Sequence, residues 1–536
     1  MGGHARSTYY TEDGNGKVLK FERGKPSVVV ANHLEVAALR AGNRAFYTHI
    51  FGEQKAGDLP SEAALTALAT AMANSEYSDG NSDIPAGYTY LGQFIFHDIS
   101  YVKPRKSEPD KADSCPKNLN SPALDLDSVL SNDGPFEAAA GCKDAGPLPL
   151  GCTSGGVVWP EDLPRIPMFF EAAGKPLIED YRNDSFLPLA QCHLMMMKFF
   201  NAIAFYEGYD DKKGDAPRIG WNGVRKMWLQ HFQSVVLHDY LPRVVDGSIY
   251  SDVMQNGRRI VRAGRFATTE NWFPLEFAGA IGRFGHSMIR HSYEPWNRLL
   301  KGIETPVTTF MESSYKNSGN GLASTDHRLS MNWITNWYRL FDFSGTQYDA
   351  HATAPMMAGL INTNLTPALS CLPKCVLDEI CTHYAIEDCT PFSSGTIVLA
   401  DETLKRGREF GLASGQHALQ VMNCMLPLPL PEIPADQIPG TDPGVAAAFT
   451  KHSELLDNTP LWFYILREAE HFACGRHLGP LGSRIVMETL HAAIEASSES
   501  ILREPEWQPI LPRVHNQYFS MPDLIAFTAN PNPLGD

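Results

Sequence analysis

The chain has no stretch approaching the roughly 20 consecutive apolar residues needed to span a bilayer, so no transmembrane segment is expected. Its start, Met1-Gly2-Gly3-His4-Ala5-Arg6-Ser7, lacks the apolar h-region of a secretory signal, which leaves cytoplasmic placement or signal-independent export open. Gly2 is also a poor myristoylation candidate, because Ser7 falls one place late for the usual pattern. Positive charge is scarce. Lys and Arg total 45 against 61 Asp and Glu, a formal net charge of −16, and a surface that tracks nucleic-acid phosphates is not expected. No 20–50-residue repeat appears, which argues against solenoids and propellers. Also missing, in any supporting context, are a Gly-x-Ser-x-Gly elbow, a His-Glu-x-x-His pair, a phosphate loop and a Gly-x-Gly-x-x-Gly fingerprint. Ten cysteines contain no Cys-x-x-Cys pair. Cys371, Cys375, Cys381 and Cys389 lie close together, but no His spacing completes a zinc site, and buried free thiols are the commoner reading.

What is present is material for a large helical core: 536 residues, 43% hydrophobic and 10% aromatic. Asp184 or Ser185 can cap a helix whose stripe runs through Leu189, Cys192, His193, Met196, Met197, Phe200 and Ala204. Helical periodicity also marks Ser61–Ala73, Pro274–Arg290, Asp326–Leu340 and Pro460–Ala473, whereas strand-like runs are short, as at Pro26–Ala31 and Thr396–Ala400. Segments rich in Pro, Gly, Asp and Ser, about 103–167 and 426–443, read as long connections. The pattern predicts a mainly α, large single-domain helical fold with few short strands. Residues 85–490 form its core, 1–84 an N-terminal extension packed on it, and 491–536 a C-terminal extension of the same domain.

Three polar segments stand out against this background. In Tyr90–Asp98, Gln93 and His97 are four apart and share a helix face, where an imidazole beside an amide can relay a proton. A satisfied core histidine has the same signature. In Arg283–Arg290, Gly285 costs a helix about 1 kcal/mol relative to Ala and would admit a large flat group beside His286, with Arg283 one turn away to meet a carboxylate. A helix-packing glycine fits as well. In Asp180–Ser185, Arg182 stands against the favourable dipole at a helix start, as a functional or a plain surface arginine.

Taken in order, these segments resemble the animal-type haem peroxidases of the peroxidase–cyclooxygenase superfamily, and look closest to its bacterial members. Leu91-Gly92-Gln93 through His97-Asp98 is similar to the distal segment. Arg182, followed eleven residues later by His193, resembles the catalytic-arginine segment, and Arg283–Ile289 the proximal helix. Leu404–Arg408 with Gly411–Gln416 resembles the proximal-partner loop, and Leu461–Glu470 with Leu478–Val486 a C-terminal segment of the bacterial proteins. The resemblance implies a haem peroxidase fold and a haem-dependent enzyme. Such an enzyme reduces hydrogen peroxide and oxidises small donors: iodide, bromide, thiocyanate or phenols. It further implies His286 as the axial iron ligand, Arg283 as a propionate partner and Gln416 in the place of the asparagine that polarises the proximal imidazole. His97 would be the distal base, Arg182 the cation beside the breaking O–O bond, and Gln93 the residue that orients a water or halide.

Departures from the family pattern carry information too. Where mammalian members form haem esters or a sulfonium link, this chain has Phe96, Ser185 and Phe186, so the resemblance implies non-covalent haem b and puts chloride oxidation in doubt. Asn120–Ser128 resembles the calcium loop, implying Ca²⁺ held by Ser121, the Ala123 carbonyl, Asp125, Asp127 and Asp98. Fatty-acid dioxygenases of the superfamily carry a radical tyrosine three residues before the proximal histidine, where this chain has Arg283. That argues against dioxygenase chemistry while leaving lipid hydroperoxides open as oxidants. A non-catalytic haem-binding module is the remaining alternative.

Overall fold

The computed structural model describes residues 8–12, 18–22, 28–30, 45–74, 80–101, 117–118, 120–130, 146–155, 157–166, 174, 176–261, 271–310, 328–346, 348–349, 353–370, 372–373, 396–514, 517–528 and 531–535. The clustered cysteines 371, 375, 381 and 389 lie outside them. The architecture is mainly α-helical with long irregular connections. Its helices include α1 (Glu62–Asn74), α2 (Gly87–Ile99), α3 (Leu187–Tyr206), α4 (Gly220–Ser234), α5 (Leu399–Glu409), α6 (Gly415–Asn423), α7 (Leu461–Ala473), α8 (Pro480–Ala496) and α9 (Met521–Thr528). One contiguous apolar cluster runs from Tyr47 to Ile525. Met196, Met197 and Phe200 of α3 are fully enclosed in it, and burial of each such side chain contributes about 1.5–3 kcal/mol.

Two short strands launch the two helices that matter most. Asn81–Pro85 pairs antiparallel with Met357–Gly359 and runs directly into α2. Asn271–Pro274 pairs parallel with Ala45–Thr48 and runs into the short helix Leu275–Gly279. The buried Glu276 carboxylate fixes this second junction by accepting the Ile50 and Phe51 amides at 2.9 and 3.0 Å.

Local expectations fail at four places. The apolar run Pro274–Arg290 is not one helix, because it breaks at Ala280 and resumes as a 3-10 helix over Ile281–Met288. Within Asp326–Leu340, the described residues form only two 3-10 turns, Met331–Trp333 and Trp337–Arg339. The Thr396–Ala400 run is a strand only over Thr396–Ile397, with α5 starting at Leu399. Asp184 does not cap α3: it forms a buried ion pair with Arg165, and Phe186 occupies the cap position.

Buried carboxyls make the fold sensitive to pH. Burial pushes Glu468 up from 4.5 to about 8, although the Leu481 and Gly482 amides at the start of α8 donate to it. Between pH 4.5 and 8 the unfolded chain has lost this proton while the folded chain keeps it, so stability falls as pH rises. Melting temperature should therefore decline from pH 5 to 8. Glu468→Gln should lower it at pH 5 and flatten the decline; an unchanged slope would refute the assignment.

Candidate active site

The two strand-launched segments face each other across a cavity of about 420 Å³. On one wall, α2 presents Gln93 and His97, a single turn apart, and both line the cavity. Gly92 lets α4's continuation approach. That continuation is a π-helical stretch, Val235–Tyr240, and a side chain at 92 would meet the Tyr240 hydroxyl at 2.4 Å. His97 Nδ1 lies 2.9 Å from Asn183 Oδ1. Burial, followed by the nearby Arg182 charge, pushes His97 down to about 4, so the imidazole is neutral at pH 7.

Arg182 enters from the 3-10 turn Tyr181–Asp184 and lines the same cavity. Its guanidinium donates to the Asp180 carboxylate and to the His97 and Ser100 carbonyls at the C-terminus of α2, and covers the Tyr101 ring at 4.2 Å. The contact satisfies helix-end carbonyls with a cation, the favourable polarity there. Ser185, Phe186 and Phe96 also border the cavity.

The opposite wall is the 3-10 helix Ile281–Met288. Residues i and i+3 eclipse in such a helix, so Arg283 and His286 project on the same side, and both line the cavity with Gly285 between them. A Cβ at Gly285 would meet nothing within 4 Å. His286 Nδ1 and Arg283 Nε are buried with no hydrogen-bond partner among the described residues. Burial, then Arg283, pushes His286 down to about 3. Burial and the charges of Arg406 and Arg182 hold Arg283 far below the usual arginine range. Arg406 of α5 is the third arginine at the cavity, and no Asp or Glu lines it among the described residues. A cavity lined by three arginines, an imidazole with no hydrogen-bond partner among the described residues and an open glycine suits a flat, dianionic macrocycle that binds a metal, and on this test the residues fit haem.

Gln416 does not join them. Its amide donates to the Leu456 carbonyl (2.9 Å) and Thr459 hydroxyl (2.7 Å) and accepts from the Thr459 amide, so the predicted hydrogen bond to His286 is absent. Gly415 packs against Tyr464, where a Cβ would meet the ring at 2.0 Å, and this pins the start of α6 against α7. His286 has Trp462 instead, edge-on at 6.0 Å, with the indole N–H donating to the Arg283 carbonyl. Of the residues expected to hold calcium, Asp98 and Asp125 have protein partners. Asp98 accepts from the Leu126 and Ser128 amides at 3.0 Å and the Ser128 hydroxyl at 2.7 Å, and Asp125 accepts from Ser497. Among the described residues no three His, Cys, Asp or Glu side chains converge on a cation position. Asp98 staples the 121–130 loop to α2, and burial together with Asp127 lifts its carboxyl to about 8.

Sequence reasoning overlooked Asp180, Asn183, Arg406 and Tyr240. Asp180, Asn183 and Arg406 lie inside the segments that drew attention, but nothing in local spacing distinguishes them. Tyr240 left no signal.

No family model and no curated protein matches the chain. Solved structures do. Peroxidase A from Dictyostelium discoideum superposes with a TM-score of 0.55 at 14% identity, covering 91% of this chain and 95% of that one. A fatty acid alpha-dioxygenase from Oryza sativa, solved with palmitic acid, gives 0.57 at 13% identity over 92% and 79%. One from Arabidopsis thaliana gives 0.52 at 11% over 82% and 71%. The chain shares the fold of these solved structures. One of these structures is a peroxidase and the others are dioxygenases, so the shared fold does not choose a reaction. Among the described residues no helix is long and apolar enough to cross a membrane.

Proposed function

We propose that the protein is a haem peroxidase that reduces hydrogen peroxide and oxidises small donors. The observation that carries this reading is the single cavity in which Gln93, His97 and Arg182 face Arg283 and His286. His286 would hold the iron, and Arg283 with Arg406 would pair with the propionates. Bound haem supplies an open iron position and electrons for splitting the O–O bond.

His97, neutral at pH 7, accepts the proton of the incoming peroxide and returns it to the departing oxygen, an exchange that requires an uncharged imidazole at the outset. Gln93, one turn earlier, orients a water or small anion beside it. Arg182 supplies a fixed positive charge from a setting tied to Asp180 and the end of α2. Arg283 stands three residues before His286, where a dioxygenase of the superfamily carries its tyrosine, and this favours peroxidase over dioxygenase chemistry. Since Gln416 is engaged elsewhere, the proximal imidazole lacks the amide that would raise its basicity, which favours easily oxidised donors such as iodide and phenols over chloride. Calcium has no part in this reading.

The test is an absorption spectrum of the haem-loaded chain with peroxide added, followed by iodide, bromide, thiocyanate and a phenol as donors. A Soret band that shifts with peroxide and returns with donor supports the reading; haem that is bound but inert to peroxide refutes it.

The haem should also be free of covalent links. Phe96, Ser185 and Phe186 offer no carboxylate or thioether, and the acid next to Ser185 in the chain, Asp184, is locked to Arg165 by two hydrogen bonds of 2.9 and 3.0 Å. Acidified organic solvent should extract unmodified haem b, and intact-chain mass spectrometry should show the bare polypeptide. A retained increment of one haem would disprove the non-covalent site.

A further inference from the structure

Asn183 is wholly buried beside the cavity and bridges two histidines that lie 96 residues apart in no shared element. Its Oδ1 is 2.9 Å from His97 Nδ1, and its Nδ2 is 3.1 Å from Nδ1 of His193, itself fully buried on α3. We propose that Asn183 is a positioning residue that fixes the tautomer and the ring orientation of His97, with His193 as the anchor that fixes Asn183. This rests on the peroxidase reading, in which His97 is the base.

An amide has two different ends. The oxygen only accepts and the NH₂ only donates. With Oδ1 toward His97, the imidazole must carry its proton on Nδ1, so the Nε2 lone pair is the free one on a residue that lines the cavity. The opposite amide orientation would require a lone pair on His97 Nδ1 and move the proton to Nε2, where the ring could not accept one from a substrate. The NH₂ end then meets His193 Nδ1, which accepts when that ring carries its proton on Nε2, so the amide and both rings hold their protons in one consistent order. The His193 ring is held in turn by the edge contact with Phe94 of α2, at 6.1 Å between centroids. The Asn183 amide N–H donates to the Asp180 carbonyl within the 3-10 turn, so the backbone that carries the amide side chain is fixed as well. Arg182, the preceding residue, binds the carbonyl of the same His97. Consecutive residues of one turn thus hold the backbone and the ring of the distal histidine.

Replacing Asn183 by Ala should leave haem content and the Soret band unchanged and slow the reaction with peroxide about 10–100-fold, the usual weight of such an outer partner. Asn183→Asp keeps an acceptor for the Nδ1 proton and should recover most of the rate. Combining Asn183→Ala with His97→Ala should cost nothing beyond His97→Ala alone, because a residue that acts through His97 has no effect once His97 is gone. A wild-type rate in Asn183→Ala, or an equal loss in the His97→Ala background, would overturn the proposal. The tautomer is read directly by long-range proton–nitrogen NMR of the full-length chain labelled in histidine nitrogen, with signals assigned through His97→Gln and His193→Gln. A His97 signal protonated at Nδ1 that loses this preference in Asn183→Ala is the expected result, and a wild-type signal protonated at Nε2 would overturn it. This measurement needs no turnover and is made on the haem-free chain. If the protein neither takes haem nor reacts with peroxide, the proposed function fails while the tautomer assignment is still decided.

Discussion

His286→Ala should lose haem, with affinity falling by two orders of magnitude or more. Loss of an outer partner to a metal-ligating histidine already costs about 10–100-fold, and here the ligand itself is removed. The substitution is well suited to the test because it disturbs little else. His286 Nδ1 has no hydrogen-bond partner among the described residues, so no hydrogen bond to them at that atom is broken, and its ring contact is the edge-on one with Trp462. The chain should stay folded, with its circular dichroism and melting behaviour close to wild type. Added imidazole should restore part of the binding, since truncation leaves space next to Gly285, where a Cβ would meet nothing. Titration of haem into both proteins, followed at the Soret band, is the measurement. Equal affinity and an unchanged spectrum in the variant would remove His286 from the iron and with it the proposed orientation of the cavity.

His97→Ala should have the opposite signature: haem retained, but its reaction with peroxide slowed by about 10²–10⁴-fold, the range over which positioned acid–base groups act. The structure makes the imidazole a competent base at neutral pH, because burial and the Arg182 charge keep it unprotonated down to about pH 4. Stopped-flow absorption under excess peroxide measures the step directly. A small basic rescuer such as imidazole should return part of the rate if the loss is one of proton transfer. An unchanged rate in the variant would move the base elsewhere in the cavity. Together the two substitutions separate the walls, one controlling whether haem binds and the other what happens to peroxide once it has.

The sequence by itself determined the mainly α character, the absence of a helix able to cross a membrane among the described residues, and the two local pairings on which the site is built. Gln93 and His97 four residues apart, and Arg283 and His286 three apart, fall on common faces because one helical turn closes within that distance, whatever the rest of the chain does. Tertiary structure decided every partner supplied from farther away. Gln416 matched the proximal position by spacing, yet its amide is drawn to residues 456–459 by the packing of α6 on α7. Asp98 has the residue types of a cation site around it and spends its oxygens on loop amides instead. Asp184 had the right place to cap α3 and pairs with Arg165, 19 residues back. Asn183 reaches His97, and Arg406 the cavity, only because their segments are folded against α2 and against Leu275–Gly279. A buried donor or acceptor takes the partner that the chain's path brings within about 3 Å, and that path is set by the packing of the whole apolar core, which no local window of sequence contains.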